Sequence, residues 1–176
     1  MTIRSFDGRQ PQIDPSAWVD DSAVVIGDVT LGPQVSVWPT CVLRGDVGSI
    51  TVGELTNIQD GTVVHVTHDG PWTPGGFNTT IGKGVTIGHR AIVHACTVGD
   101  WCLIGMGAIL MDGAELGARS ILAAGALVPA GKKLEGGWLY VGSPARAVRA
   151  LTDTEFESLE YSAAHYAKLM AAHRDQ

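Results

Sequence analysis

An aliphatic residue returns about every sixth position along much of this chain. The series runs Leu31, Val37, Leu43, then Val52, Ile58, Val64, and after a break Ile81, Ile87, Val93, Val98, Ile104, Leu110, Leu116, Leu122 and Val128. Glycine often follows, as in Ile81-Gly82, Ile87-Gly88, Ile104-Gly105 and Leu116-Gly117. A small or β-branched residue often stands four places on, as in Val85, Ala91, Cys102, Ala108, Ala114, Ser120 and Ala126. Sustained over such a length, this is not the period of an amphipathic helix. Alternation broken by glycine reads as a short strand followed by a corner. The pattern predicts a mainly β chain, a parallel β-helix of hexapeptide repeats whose coils bury their aliphatic residues by stacking on one another. The count breaks in three places. The step from Leu43 to Val52 is long, the step from Val93 to Val98 is one residue short, and residues 66–80 interrupt the series. That last segment, VTHDGPWTPGGFNTT, is rich in Gly, Pro and Thr and is expected to be a loop ejected from the coil.

The repeats are expected to stop near Val128-Pro129, giving a hexapeptide-repeat domain over 1–135 and a linker with a C-terminal α-helix over 136–176. Thr152-Asp153-Thr154-Glu155 is a capping box. Beyond it Phe156, Leu159, Ala163, Tyr166 and Met170 recur at spacings of three and four, an apolar stripe that predicts a helix packed alongside the coil. The 176 residues fit one domain plus this appendage, and a hydrophobic fraction of 45% supplies a core. A net charge of −6 with no basic run argues against nucleic-acid binding. No stretch is long or apolar enough to predict a membrane span, and the opening MTIRSFDGRQ has no apolar leader core, so a cytoplasmic location is expected. Cys41, Cys96 and Cys102 form no CxxC pair and are expected to be reduced. Cys41 and Cys102 fall on the small inward position, which favours burial over a role as nucleophile or ligand.

The pattern resembles the left-handed β-helix proteins, in which three hexapeptides make one triangular coil. Under that geometry residues one coil apart lie on the same face, about 4.8 Å apart along the axis. His65 follows Val64 and His94 follows Val93, one coil later; Arg44 follows Leu43, one coil earlier. Arg44, His65 and His94 are therefore expected to form a ladder. Asp60 and His89, each two places after an isoleucine, are expected to stack on a different face. Two stacked imidazoles can share a zinc ion, and His89 can join them if a closed trimer brings the second face of one subunit against the first face of the next. Three ligands with one open position is the pattern of a catalytic zinc. Iron, cobalt or nickel suits three imidazoles as well. His68, His165 and His173 have no such register and read as surface residues.

Arg44-Gly45-Asp46, Asn57-Ile58-Gln59-Asp60-Gly61, His65, His89 with His94, the run IGMGAILMDGA and GSPARAVR before a terminal helix together resemble the γ-class carbonic anhydrase-like family. HVTHDG with its Pro/Gly-rich loop, and YSAAHY in the helix, resemble its YrdA-like bacterial branch. The resemblance covers nearly the whole chain. It implies a homotrimer with metal at each subunit interface, His65 and His94 from one chain and His89 from the next. It implies an inter-subunit ion pair of Arg44 and Asp46, which can equally be a plain interface salt bridge. It implies that Gln59 orients the nucleophile, that Asp60 supports that network and that Tyr166 points toward the pocket. The activity implied is attack of a zinc-activated hydroxide on carbon dioxide, giving bicarbonate.

The chain departs from the best-known members of that family in two places. Val47 stands where an acidic residue follows the Arg-x-Asp motif, and the loop offers His68 and Asp69 but no glutamate proton shuttle. Slow hydration is therefore expected, with His68 or no residue as the shuttle. Three alternatives stay open: acyl transfer with a histidine as general base, metal-dependent thioester hydrolysis, and a non-catalytic trimeric scaffold stapled by metal.

Overall fold

The computed structural model describes residues 2–174. A parallel β-solenoid with three faces makes up most of it, and a single helix lies against its side. One face stacks Trp18–Val19, Ser36–Val37, Asn57–Ile58, Thr86–Ile87, Leu103–Ile104, Ile121–Leu122 and Trp138–Val141. The second stacks the first halves of two long strands, Val24–Leu31 and Val42–Val52, with Val63–His65, Ile92–His94, Ile109–Leu110 and Leu127–Val128. The third stacks the second halves of those strands with Thr79–Ile81, Thr97–Val98, Glu115–Leu116 and Lys133–Leu134. The repeat aliphatics Leu43, Ile58, Ile81, Ile87, Ile104, Leu110, Leu116 and Leu122 point inward and are fully buried. Each such side chain contributes about 1.5–3 kcal/mol relative to exposure. The coils also enclose Cys41, Cys96 and Cys102, all free thiols; burial pushes Cys41 up to about 11 and the other two up to about 12.

The long step in the repeat has a definite shape. Val24–Leu31 and Val42–Val52 turn a corner without losing their pairing, but one residue, Asp28, faces four, Asp46 to Ser49, at the register shift. The extra residues bulge outward, as bulges do where a strand must re-aim a side chain. The corner demands glycine at position 27. Its φ is +76°, and a Cβ there would meet the Gly45 carbonyl oxygen at 2.3 Å. Gly27→Ala is expected to destabilise the chain by about 3 kcal/mol, through a backbone conformation and a close approach that alanine cannot accept. Urea unfolding that leaves the midpoint unchanged would show the corner to be more compliant than this.

The ejected loop is shorter than the expected 66–80, because Val66 is buried in the core and Thr79–Ile81 already stacks in the coil; residues 67–77 close on themselves through antiparallel bridges, Thr67 with Phe77 and Gly70 with Thr73. The coil itself runs further than the repeats suggest. Lys133–Leu134 still stacks, and Trp138–Val141 stacks on Ile121–Leu122 before pairing antiparallel with Arg146–Ala150. Tyr140 is buried there in the position of a repeat aliphatic, with its hydroxyl on the Glu135 carbonyl at 2.8 Å. The segment read as linker is thus a last rung and a hairpin.

The helix spans Asp153–Arg174 and starts at the expected capping box: Glu155 N–H donates to Thr152 Oγ1 at 3.3 Å and Thr152 N–H to Glu155 Oε2 at 2.9 Å. Arg149 grips the same carboxylate at 2.7 and 2.8 Å and, as the largest cause, holds its pKa at about 2. Leu159, Ala163 and Met170 are buried against the first face. Trp38 anchors the far end, packing edge-on against Tyr166 and His173 at 5.5 and 5.1 Å between ring centroids. His165 and His173 are exposed, as expected of surface residues, His173 lying against Trp38 and His165 stacking on Tyr161 at 5.9 Å. Among the described residues no helix is long and apolar enough to cross a membrane.

Candidate metal centre

Arg44, His65 and His94 pair directly across adjacent strands, so the ladder read from the repeat is present rung for rung. The two imidazoles sit at the end of the second face, just before the chain turns to the third. His65 Nδ1 and His94 Nε2 lie 3.2 Å apart. The other nitrogen of each ring meets a carboxylate: His65 Nε2 lies 3.0 Å from Asp46 Oδ1, and His94 Nδ1 lies 2.7 Å from Asp112 Oδ1. A carboxylate accepts, so it fixes the proton on the nitrogen it faces. The two remaining nitrogens then turn lone pairs toward one point.

The electrostatics hold this arrangement. Burial lowers the His65 pKa, and the Arg44 charge adds to that against the opposing pull of Asp46, which favours the neutral ring. Burial works against the Asp46 carboxylate, yet hydrogen bonds from Arg44 and His65 and the Arg44 charge outweigh it and hold the pKa below the usual range. Asp112 is likewise penalised by burial and held low by hydrogen bonds from Thr67 and His94.

The donor set fits a zinc ion. Two nitrogens at the 2.0–2.1 Å bonds of a tetrahedral zinc stand about 3.3 Å apart. Carboxylates behind each ring are the usual outer support of metal-ligating histidines. Two neutral imidazoles facing lone pair to lone pair otherwise repel. Within the chain the set is incomplete: among the described residues no three His, Cys, Asp or Glu side chains converge on one point.

His89 stands at the opposite edge of the second face, where the chain arrives from the first. Its Nδ1 lies 2.9 Å from Asp60 Oδ2, as the second predicted ladder requires, and its ring is exposed. The same carboxylate logic leaves His89 Nε2 free. Beside it opens a cleft of ≈ 430 Å³ whose lining includes Gln59, Leu103, Met106, Ile121 and Ser162. Gln59 is nearly buried, and its Nε2 donates to Asn57 Oδ1 at 3.2 Å, which leaves the amide oxygen as the end available to the cleft. Tyr166 lies on this side too: burial raises its pKa, and the Asp60 charge raises it further. The expected residues therefore fall into two separate groups, one of His65, His94, Arg44 and Asp46 and one of His89, Gln59 and Asp60, while Tyr166 packs on Trp38 and is not among the residues lining the cleft.

Within the chain Arg44 and Asp46, two residues apart along one strand, form an ion pair. Asp112 and Thr67 were missed. Asp112 lies two residues past the rung of Leu110, so its place in the repeat carries no mark, and its link to Thr67 crosses from the ejected loop.

The fold is a hexapeptide-repeat solenoid, and comparisons with known proteins agree with that. The model for the hexapeptide repeat of succinyl-transferase matches residues 78–111 and 96–130. Protein YrdA of Escherichia coli (strain K12) is 47% identical over 174 residues, covering 99% of this chain and 95% of that protein. Gamma carbonic anhydrase 1, mitochondrial, of Arabidopsis thaliana is 45% identical over 175 residues, covering 98% of this chain but only 62% of the plant protein. The crystal structure of a hexapeptide transferase family protein from Anaplasma phagocytophilum superposes with a TM-score of 0.89 at 44% identity, covering 97% of each chain. The chain belongs to the YrdA-like, γ carbonic anhydrase-like family.

Proposed function

We propose that this chain is a γ carbonic anhydrase-like metalloprotein that hydrates carbon dioxide to bicarbonate, slowly, at centres shared between subunits of a homotrimer. The observation that carries the reading is the pair of imidazole nitrogens 3.2 Å apart, each ring backed by its own carboxylate. His65 and His94 of one chain and His89 of the next would hold the ion, with zinc favoured and iron, cobalt or nickel compatible with the same donors. The ion, when bound, lowers the pKa of water to near neutrality and so makes a nucleophile available at physiological pH. Gln59 offers an amide oxygen that accepts a hydrogen from that nucleophile and turns its lone pair toward the substrate. Asp60 keeps the His89 ring in one tautomer and orientation. Asp46 does the same for His65 and is itself held by Arg44.

The trimer is supported by what lies between the two groups. Val63 and Ile92 point outward from the second face and are 40% and 39% exposed, an apolar surface bounded by His89 on one edge and the His65–His94 pair on the other. A ring of three that buries this face joins the two edges with one kind of contact. Metal analysis of anaerobically purified protein, with carbon dioxide hydration followed by stopped flow, tests the reading. About one metal per chain with measurable hydration is expected; a metal-free trimer with no hydration under any added divalent metal would sink it.

A second reading is acyl chemistry on a thioester or an amine. The apolar wall of Leu103, Met106 and Ile121 in the cleft favours it, since ≈ 430 Å³ exceeds what carbon dioxide needs and lies in the range of organic-ligand sites. Hydrolysis or transfer from short-chain acyl-CoA in the absence of hydration would select it.

A further inference from the structure

The ejected loop is fastened to the coil at its neck. Thr67 and Phe77 exchange both backbone hydrogen bonds there, each at 2.9 Å. With its backbone so engaged, Thr67 extends its hydroxyl to Asp112 Oδ2 at 2.5 Å. Phe77 lies over Gly113, where a Cβ would meet its ring at 3.3 Å. Both sides of the neck thus rest on one corner of the coil, Asp112-Gly113. The other oxygen of Asp112 faces His94 Nδ1 at 2.7 Å.

Donor and acceptor roles in this line are fixed. A carboxylate only accepts, so the Thr67 hydroxyl donates to it, and so does His94 Nδ1. His94 Nε2 keeps its lone pair, 3.2 Å from His65 Nδ1. The two histidines differ in what holds the carboxylate behind them. Asp46, behind His65, is held from its own strand by Arg44 and by the Val47 N–H at 3.0 Å. Asp112 has its second side-chain partner on the loop. Packing also does less for it: the His94 and Asp112 side chains are 32% and 29% exposed, those of His65 and Asp46 15% each. A carboxylate in such a place turns about its side-chain bonds unless a hydrogen bond stops it, and the ring it supports turns with it.

We propose that Thr67 is a positioning residue for the metal centre: by holding Asp112 it sets the direction of the His94 ring, and so couples closure of the 67–77 loop to the affinity of the centre for metal. The inference rests on the reading of His65 and His94 as ligands. Coupling of this kind is reciprocal. A closed neck aims His94, and an ion on His94 keeps the neck closed.

The test uses the full chain with Thr67→Val, which keeps the shape and loses the hydroxyl, and Thr67→Ser, which keeps the hydroxyl. Ring signals of His65 and His94 in ¹³C-histidine-labelled protein are assigned by their loss in His65→Ala and His94→Ala. In metal-free Thr67→Val the His94 signal is expected to shift and broaden well beyond the His65 signal. Thr67→Ser is expected to leave both in place. Zinc affinity, read by competition with a chelator, is expected to fall about tenfold in Thr67→Val and to hold in Thr67→Ser. Saturating zinc is expected to slow hydrogen exchange at the Thr67 and Phe77 amides of the wild type, and to slow it less in Thr67→Val. A wild type that binds no zinc would remove the metal reading, while the ring signals of metal-free protein would still decide this one. A His94 signal that moves no more than that of His65 in Thr67→Val, or that moves as much in Thr67→Ser, overturns the proposal. Bound zinc that leaves exchange at the wild-type neck unchanged overturns it as well.

Discussion

His89→Ala is expected to empty the metal centre as fully as His65→Ala or His94→Ala, although His89 stands on a different edge of the coil from the other two. Each variant removes one of the three proposed ligands, and a centre left with two nitrogens and water would fall below the set that holds a catalytic zinc. The division between subunits gives a sharper result. Purified His65→Ala and His89→Ala chains, each metal-free, are expected to recover metal when unfolded, mixed in equal amounts and refolded together. An interface is whole only where intact His65 and His94 meet an intact His89. Random assortment in a ring of three makes about a quarter of the interfaces whole. Elemental analysis of the mixture checks this. No recovery, with trimers formed, would mean that the three histidines do not share an ion across a boundary. Full metal retained in any two of the single variants would remove the assignment altogether.

Carbon dioxide hydration is expected to be limited by loss of a proton from the site, and to rise roughly tenfold as a small imidazole buffer is added. Val47 is an exposed apolar residue on the bulge beside Asp46, and its side chain carries no group that can pass a proton onward. On the ejected loop, the Asp69 carboxylate is tied to the Gly75 N–H at 2.7 Å. His68 is the exposed group left at the root of that loop, and histidine is the side chain that changes charge near neutral pH. His68→Ala is expected to lower the rate in weakly buffering solution and to leave the imidazole-supplemented rate unchanged. Stopped-flow rates against buffer concentration for both proteins decide the matter. A fast wild-type rate indifferent to buffer and to His68→Ala would show a proton path other than this one.

Much of this is legible in the amino-acid sequence. The aliphatic count alone aligned Arg44 with His65 and His94 and Asp60 with His89, because in a solenoid the hydrophobic register is also the vertical register. The stripe from Phe156 to Met170 gave the helix and its buried side. The losses came where the chain leaves the repeat. Asp46 reaches His65 only because four residues bulge at the corner, and a skipped count signals a bulge without saying where its side chains turn. Asp112 is a corner residue whose worth depends on His94 one coil above, from which the strand register sets it off by one place, and on Thr67 of the loop, which lies outside the repeat. The last rung escaped because Tyr140 fills the place of an aliphatic.

The three enclosed thiols turn the solenoid into its own strain gauge. With Cys41 raised to about 11 and Cys96 and Cys102 to about 12 by burial, almost none of the reactive thiolate exists near neutral pH while the coils stay closed. Alkylation of any of them then counts openings of the coil that holds it. Cys41 sits among the early coils, whereas Cys96 and Cys102 sit in mid-stack beside the strand of His94. Because each coil leans only on its neighbours, the order in which the thiols take up label reads out the end from which the stack unzips.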